Sequence, residues 1–251
     1  RKVVVFVSTC DSVEFHYELF RHASWPLDLS KTIDGERQAF LTGPLFKLHG
    51  NIDQKDRTKT FFRFCNSSSG ILFCTDVAAR GLDLPAVDYI IQYDPPDDTS
   101  TYIHRVGRTA RMGQRGKAVL FLQRGEIEYL NLLKAKGVSL SEISVVSVLA
   151  ELNPDNVEEK DEEGGEEIPP GLQLQQQFET LVAGDIELHE LARLTFLSTI
   201  RAYGAFPKAM KSIFHPRKLH LGMVAKSFGL KEPPKRLASG STGKKKKGRG
   251  G

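Results

Sequence analysis

Residues 71–96 read ILFCTDVAARGLDLPAVDYIIQYDPP, and the fold turns on them. Ile71 to Phe73 and Val87 to Ile91 are short apolar runs of strand type, and a loop carrying Thr75, Asp76, Gly81 and Asp83 joins them. Outward from this unit, Val3 to Val7, Leu45 to Leu48 and Ala118 to Leu122 repeat the strand pattern, with helical segments between them. Asp11 or Ser12 can cap a helix with Val13, His16, Leu19 and Phe20 on one face, and Asp53 one carrying Phe61, Phe62 and Cys65. Strands alternating with helices predict an α/β fold, a parallel sheet of five or six strands with helices on both faces. Ser24 to Pro44 fits neither period and reads as a long loop or insertion, with Trp25 anchoring it to the domain in preference to stacking on a base.

The chain continues past this unit. A helix is expected over Gly125 to Lys136 and a last strand-like run over Ser144 to Val148. Residues 151–170, ELNPDNVEEKDEEGGEEIPP, hold nine acids against one Lys and read as a mobile linker. Gln173 to Leu230 turns helical, with Leu181, Leu188, Leu191 and Phe196 among the recurring apolar positions and a stop at Tyr203-Gly204. From Lys231 onward Pro, Gly, Ser and Lys dominate, and no packed structure is expected. The predicted layout is a domain over 1–150, an acidic linker over 151–171, a small helical domain over 172–230 and a disordered basic tail over 231–251.

Composition bounds the class. The 251 residues are 40% hydrophobic and 26% charged, which excludes wholesale disorder. The net charge of +4 averages the acidic stretch against a basic C-terminus, and that end suggests nucleic acid. Cys10, Cys65 and Cys74 form no CxxC pair, so spacing supports neither a disulfide framework nor a zinc site. No apolar run approaches the roughly 20 residues of a membrane span, so no membrane partner is expected. The absence of an initiating Met suggests a fragment of a longer protein.

The densest chemical signal is Tyr102-Ile103-His104-Arg105-Val106-Gly107-Arg108-Thr109-Ala110-Arg111. On a short helix, Arg108 and Arg111 lie three apart and their guanidinium groups converge, an arrangement suited to a polyphosphate. A solvated basic helix end paired with nearby acids has the same composition. The loop Thr75 to Asp83 lies beyond the carboxyl end of a strand, where open parallel sheets bind ligands. A plain capped turn, opened by Thr75 or Asp76 and closed by Gly81, fits it as well. His215-Pro216-Arg217-Lys218-Leu219-His220 reads as a helix-breaking loop in preference to a metal site.

Four stretches in order, VVVFVST (Val3 to Thr9), LHGNIDQKDR (Leu48 to Arg57), FCTDVAARGLDLPAVDYIIQYDPP (Phe73 to Pro96) and HRVGRTAR (His104 to Arg111), resemble the motifs of the second RecA-like domain of DEAD-box RNA helicases. Leu172 to Leu230 with its basic tail is similar to the C-terminal extension of a nucleolar branch linked to large-ribosomal-subunit assembly. The resemblance implies roles residue by residue. Arg108 and Arg111 match arginine fingers that reach the γ-phosphate of ATP. Asp83 matches the contact to the ribose hydroxyls, with Gly81 allowing close backbone approach. Gly50, Gln54, Arg57 and Thr75 match positions lining the RNA backbone, which fix register without reading sequence. His104 matches the residue that couples the RNA and ATP sites between domains, and Phe6 the aromatic beneath it. Ala110 stands where the family most often has Gly.

The resemblance implies ATP with Mg2+ as cofactor, held mainly by an N-terminal RecA-like domain absent here. The chain contains no Walker A sequence and no DEAD tetrapeptide, and Ala238 to Lys245 in the tail only imitates a phosphate loop. The chain alone is therefore expected not to hydrolyse ATP. Its implied partners are RNA, chiefly rRNA in pre-ribosomal particles, and its own N-terminal domain, in a monomeric protein of the nucleolus. Two rivals stay open: a non-catalytic RNA- or protein-binding scaffold that kept the fold, and a related helicase acting on DNA.

Overall fold

A computed structural model describes residues 1–25, 38–41, 43–79, 82, 84–109, 116–151 and 169–239. Five strands form the sheet: β1 (Lys2–Phe6), β4 (Leu45–Leu48), β5 (Gly70–Cys74), β6 (Tyr89–Gln92) and β7 (Lys117–Leu120). All pair in parallel, in the order β4-β5-β1-β6-β7. The sheet is the expected one, with strand ends shifted by a residue or two. Val87 lies outside β6 and bridges to Thr109 instead.

Successive side chains of β1 enter different cores, as the period of two demands. Val4 and Phe6 face Phe64 of α2 (Gln54–Asn66), together with Leu72 and Ile90. Val5 and Val7 face Val13 of α1 (Cys10–His22), together with Phe73. Connections that run one way along a parallel sheet pass over one face by right-handed crossover, and those that run the other way pass over the opposite face. The step from β1 to β4 runs one way and every later step runs the other, so α1 is, among the described residues, the only crossover helix on its side.

That topology explains where the C-terminal helices go. Here α7 (Pro170–Gly184), α8 (Ile186–Ala205) and α9 (Leu221–Ser227) cover α1, with α8 packed along it. Phe15 and Leu19 of α1 share one core with Val182, Leu188, Phe196, Phe214 and Phe228. Phe178 meets Phe20 edge-on at 5.8 Å, and Phe228 meets Phe15 at 5.7 Å. Polar contacts reinforce the join: Thr195 Oγ1 donates to the Asp11 carbonyl at 3.0 Å, and Gln177 Nε2 to the Ser24 carbonyl at 2.8 Å. The boundary drawn near residue 150 is therefore not a boundary of packing. His16 is buried in this seam among Phe15, Phe73, Tyr93 and Phe228, and burial pushes its pKa down.

Several expectations are corrected. Thr9, not Asp11 or Ser12, caps α1, because its Oγ1 accepts from the Ser12 amide at 3.0 Å. Ser144 to Val148 is no strand: residues 145–150 form the short helix α6 (Val145–Ala150). Its β-branched residues favour strands, but with no sheet edge pairing them the backbone closes bonds on itself, Val148 N–H to Ser144 O at 3.2 Å. Gly125 to Lys136 splits into a 3₁₀ turn, Arg124–Glu126, and α5 (Tyr129–Ala135). The helical run continues past Tyr203-Gly204 to Ala205.

Residues 231–239 are packed rather than loose. The helix α10 (Pro234–Ala238) leaves Leu237 only 3% exposed, and Glu232 Oε1 accepts from His189 Nε2 at 2.7 Å. Leu237→Ala is expected to cost about 2 kcal/mol, the low end for such truncations because a terminal helix can settle into the gap. Urea unfolding measures it, and an unchanged midpoint would mean that α10 is unpacked in solution. Within the predicted insertion, Ser24–Trp25 (β2) pairs antiparallel with Gln38–Ala39 (β3). The expectations for the Trp25 side chain, for most of the acidic linker and for the tail beyond 239 lie outside the described residues.

Candidate nucleotide and RNA interface

The carboxyl ends of the strands form one rim. Reading across it, Gly50 follows β4, Thr75 and Asp76 follow β5, Phe6 and Ser8 end β1, and Gln92 and Asp94 end β6. Neighbouring ends are stitched by backbone bonds: Thr75 N–H donates to Leu48 O at 3.2 Å, Val7 N–H to Cys74 O at 3.0 Å, and Tyr93 N–H to Phe6 O at 3.0 Å. The Ser8 amide adds a bond to Asp94 Oδ2 at 2.7 Å.

Arg105 organises this rim. It lies on α4 (Thr99–Val106), a helix capped by the Asp98 carboxylate on the Thr101 amide at 2.8 Å. Its side chain is 2% exposed. Nε and Nη2 grip Asp76 at 2.8 and 2.6 Å, while Nη1 reaches the Asp94 carbonyl at 2.8 Å and Gln92 Oε1 at 3.3 Å. The guanidinium also stands over the Phe6 ring, 4.9 Å from its centroid. One fork thus ties α4 to the ends of β1, β5 and β6, a geometry for which the planar guanidinium is suited and an ammonium is not.

Sequence reasoning missed Arg105, taking the three arginines as one basic cluster. The signal was its spacing: Thr101, Tyr102 and Arg105 share the inward face of α4. His104, one position earlier, is exposed, so the side chain above Phe6 is that of Arg105 and not of His104.

Arg108 is not on a helix. Gly107 closes α4, and the turn after it is held from both sides: Arg108 N–H donates to Arg105 O at 3.1 Å, and Val87 N–H to Arg108 O at 3.3 Å. Thr109 Oγ1 bonds to the Val87 carbonyl beside it. The side chain of Arg108 is thereby carried at the end of a braced turn, half-buried. Arg111, Gly81 and Asp83 lie outside the described residues, so convergence of Arg108 with Arg111 and the ribose contact are not tested. Thr75 is buried at the start of α3 (Asp76–Ala79), as the capped-turn alternative also requires.

At the other end of the rim, Gly50 and Gln54 are exposed and a Cβ built on Gly50 would meet nothing within 4 Å among the described residues, so none of these demands glycine there. Arg57 donates to Gln54 Oε1 at 3.2 Å, and its buried Nε has no hydrogen-bond partner among the described residues. This segment is anchored from below by Glu14, which accepts from His49 Nε2 and Lys47 Nζ, each at 2.6 Å. The bond from His49, aided by Lys47, holds the Glu14 carboxyl down at about 2 against the opposing effect of burial. Among the described residues no group of three or more His, Cys, Asp and Glu could hold a metal, and no helix is long and apolar enough to cross a membrane.

A five-stranded parallel sheet with its loops gathered at the strand carboxyl ends and a braced basic turn after α4 has the architecture of a RecA-like α/β domain. Residues 1–113 match the helicase conserved C-terminal domain, and residues 185–236 match the C-terminal extension of ATP-dependent rRNA helicases of the SPB4-like type. DEAD-box ATP-dependent RNA helicase 17 of Oryza sativa subsp. japonica is 46% identical over 94% of this chain, and ATP-dependent RNA helicase HAS1 of Saccharomyces cerevisiae is 40% identical over 97%. A human relative, 40% identical over 98% of the chain, is named ATP-dependent DNA helicase DDX31. The chain spans only 40%, 41% and 30% of these relatives' lengths. Among solved structures, Mss116p DEAD-box helicase domain 2 bound to an RNA duplex superposes with a TM-score of 0.54 at 26% identity, over 91% of this chain and 73% of that one. The chain belongs to the DEAD-box RNA helicase family, of which it carries the second RecA-like domain and the C-terminal extension.

Proposed function

We propose that this chain is the finger-bearing half of an ATP-dependent RNA helicase that acts on rRNA during large-ribosomal-subunit assembly in the nucleolus. The observation that carries the reading is Arg105, whose buried fork joins three strand ends to α4 and so braces the turn that presents Arg108. In this reading Arg108 and Arg111 neutralise charge on the γ-phosphate, and Asp83 with Gly81 holds the ribose. Gly50, Gln54, Arg57 and Thr75 hold the RNA backbone. A half-buried Arg57 with one unspent N–H suits a phosphate or 2′-hydroxyl oxygen.

His104, exposed on α4, and Phe6 of β1, which lies beneath Arg105 of that same helix, serve the coupling between domains. ATP and Mg2+ are held mainly by the upstream RecA-like domain, and the protein acts as a monomer. When bound, the nucleotide supplies the phosphoryl group whose transfer to water the fingers promote. Closure of the two domains would be favoured by both ligands, because each contacts both halves only in the closed state. The rRNA assignment is supported by the match of residues 185–236 to an rRNA-helicase extension.

The DNA helicase named among the relatives makes DNA the second reading. RNA-stimulated ATP turnover by the chain alone, and by the chain joined to its native upstream domain, tests the proposal. The expected result is turnover by the joined form only, stimulated by RNA over DNA of the same sequence. Stimulation by DNA alone would overturn the RNA assignment. A joined form that binds RNA without turnover would favour a scaffold.

A further inference from the structure

Residues 201–231 contain seven Lys and Arg and no Asp or Glu, where the chain's average acid content would place about four. The segment is folded. Met210, Ile213, Phe214 and Leu219 are 6, 5, 0 and 8% exposed and turn inward, while Lys208, Lys211, Arg217 and Lys218 are exposed. Two 3₁₀ turns, Lys208–Met210 and Pro216–Lys218, carry these cations outward, and Pro216 packs on Gly204 of α8. Lys231 pairs with Glu179, but Lys208, Lys211 and Arg217 make no ion pair with any described residue. Clustered cations left uncompensated by a fold are self-repulsive, a cost that an anionic partner relieves.

The fold sets the position of this surface. Tyr203 OH donates to the buried Glu126, and Phe214 meets Tyr129 edge-on at 5.4 Å. Glu126 follows β7, so the basic segment stands by the last strand of the sheet, while Gly50, Gln54 and Arg57 follow β4 at the opposite edge. Four strand spacings separate the two edges, about 19 Å. The rim thus carries cations at two ends too far apart for one phosphate.

We propose that Lys208, Lys211, Arg217 and Lys218 form a second, sequence-independent contact surface for the RNA sugar-phosphate backbone, separate from the track at Gly50, Gln54, Arg57 and Thr75. The proposal rests on the RNA reading above and extends it to the helical extension. RNA is favoured over an acidic protein because the patch shares the strand-end rim with the track residues and exposes cations without an apolar anchor between Lys208 and Lys218.

The test is binding of the whole chain to a fluorescein-labelled hairpin RNA with a single-stranded overhang, followed by anisotropy across a salt series. Replacing all four residues by alanine is expected to weaken binding about tenfold and to reduce the slope of log K against log salt by about 3. The melting temperature should hold, since the four side chains are exposed. If the quadruple variant fails to fold, Lys211→Ala and Arg217→Ala singly should each remove about 0.7 to 0.9 from the slope. An unchanged slope in folded variants overturns the proposal. If Arg57→Ala still weakens binding in that case, the helicase reading stands without it. A chain that does not bind the hairpin at all overturns both. Competition by polyglutamate at charge concentrations where unlabelled RNA does not compete would assign the patch to an acidic protein and also overturn it.

Discussion

In the chain joined to its upstream domain, Arg111→Ala or Arg108→Ala is expected to cut RNA-stimulated ATP turnover by about 10³- to 10⁵-fold, with RNA affinity changed little. The physical reason is differential. The charge on a transferring phosphoryl group spreads over its equatorial oxygens only as the bond to the leaving group loosens, so a guanidinium placed there binds the transition state better than the ground state. Loss of such a contact lowers kcat and kcat/KM together. The bracing of Arg108 by Gly107, Arg105 and Val87 matters here, because a donor that has to be ordered during the reaction stabilises less than one already in place. Arg108→Lys is expected to recover little, since an ammonium lacks the fork. Turnover within tenfold of the parent for both alanine variants would remove the fingers from the mechanism. A parallel loss of RNA affinity would instead place these arginines on the RNA.

Arg105→Ala should lower the unfolding free energy by about 3 to 5 kcal/mol, measured by urea or thermal unfolding of the chain itself. The size of the effect comes less from the lost attraction than from what remains. Asp76 is left with a side chain only 20% exposed and without its Arg105 partner, the Asp94 carbonyl and Gln92 lose a donor, and the Phe6 ring loses its cover. Arg105→Lys should recover part of the loss, because one ammonium can reach Asp76 or the Asp94 carbonyl but cannot grip both in plane. A change under 1 kcal/mol for Arg105→Ala would mean that the rim is held by its backbone bonds alone. Since the variant also frees the Arg108 turn, its turnover in the joined form is expected to fall by more than its loss of folded protein explains.

The sheet was legible from sequence because each main strand is mostly apolar, broken internally only by Lys47 of β4, the pattern of a parallel sheet covered on both faces. The inward face of α1 was legible from its spacing, whereas α2 was located but turns Phe64 inward and leaves Phe62, on the expected face, 56% exposed. Ser144 to Val148 misled because β-branched residues announce a strand only where a neighbour pairs with it, and pairing is not a local property. The packing of Leu237 was hidden by a composition rich in Pro and Lys, which describes the average of a segment and not the one side chain that docks.

What the sequence by itself determined, then, is the class of fold and the order of the strands and their motifs, since these follow from local periodicity and residue chemistry. Only the tertiary structure decided that Arg105 is a buried tie and not a third finger, for its partners Asp76, Gln92 and Asp94 are 29, 13 and 11 residues away. It also decided that the C-terminal helices complete the domain's own core. The apolar face of α1 needs cover, but nothing local in its sequence says that a segment more than 150 residues downstream supplies it.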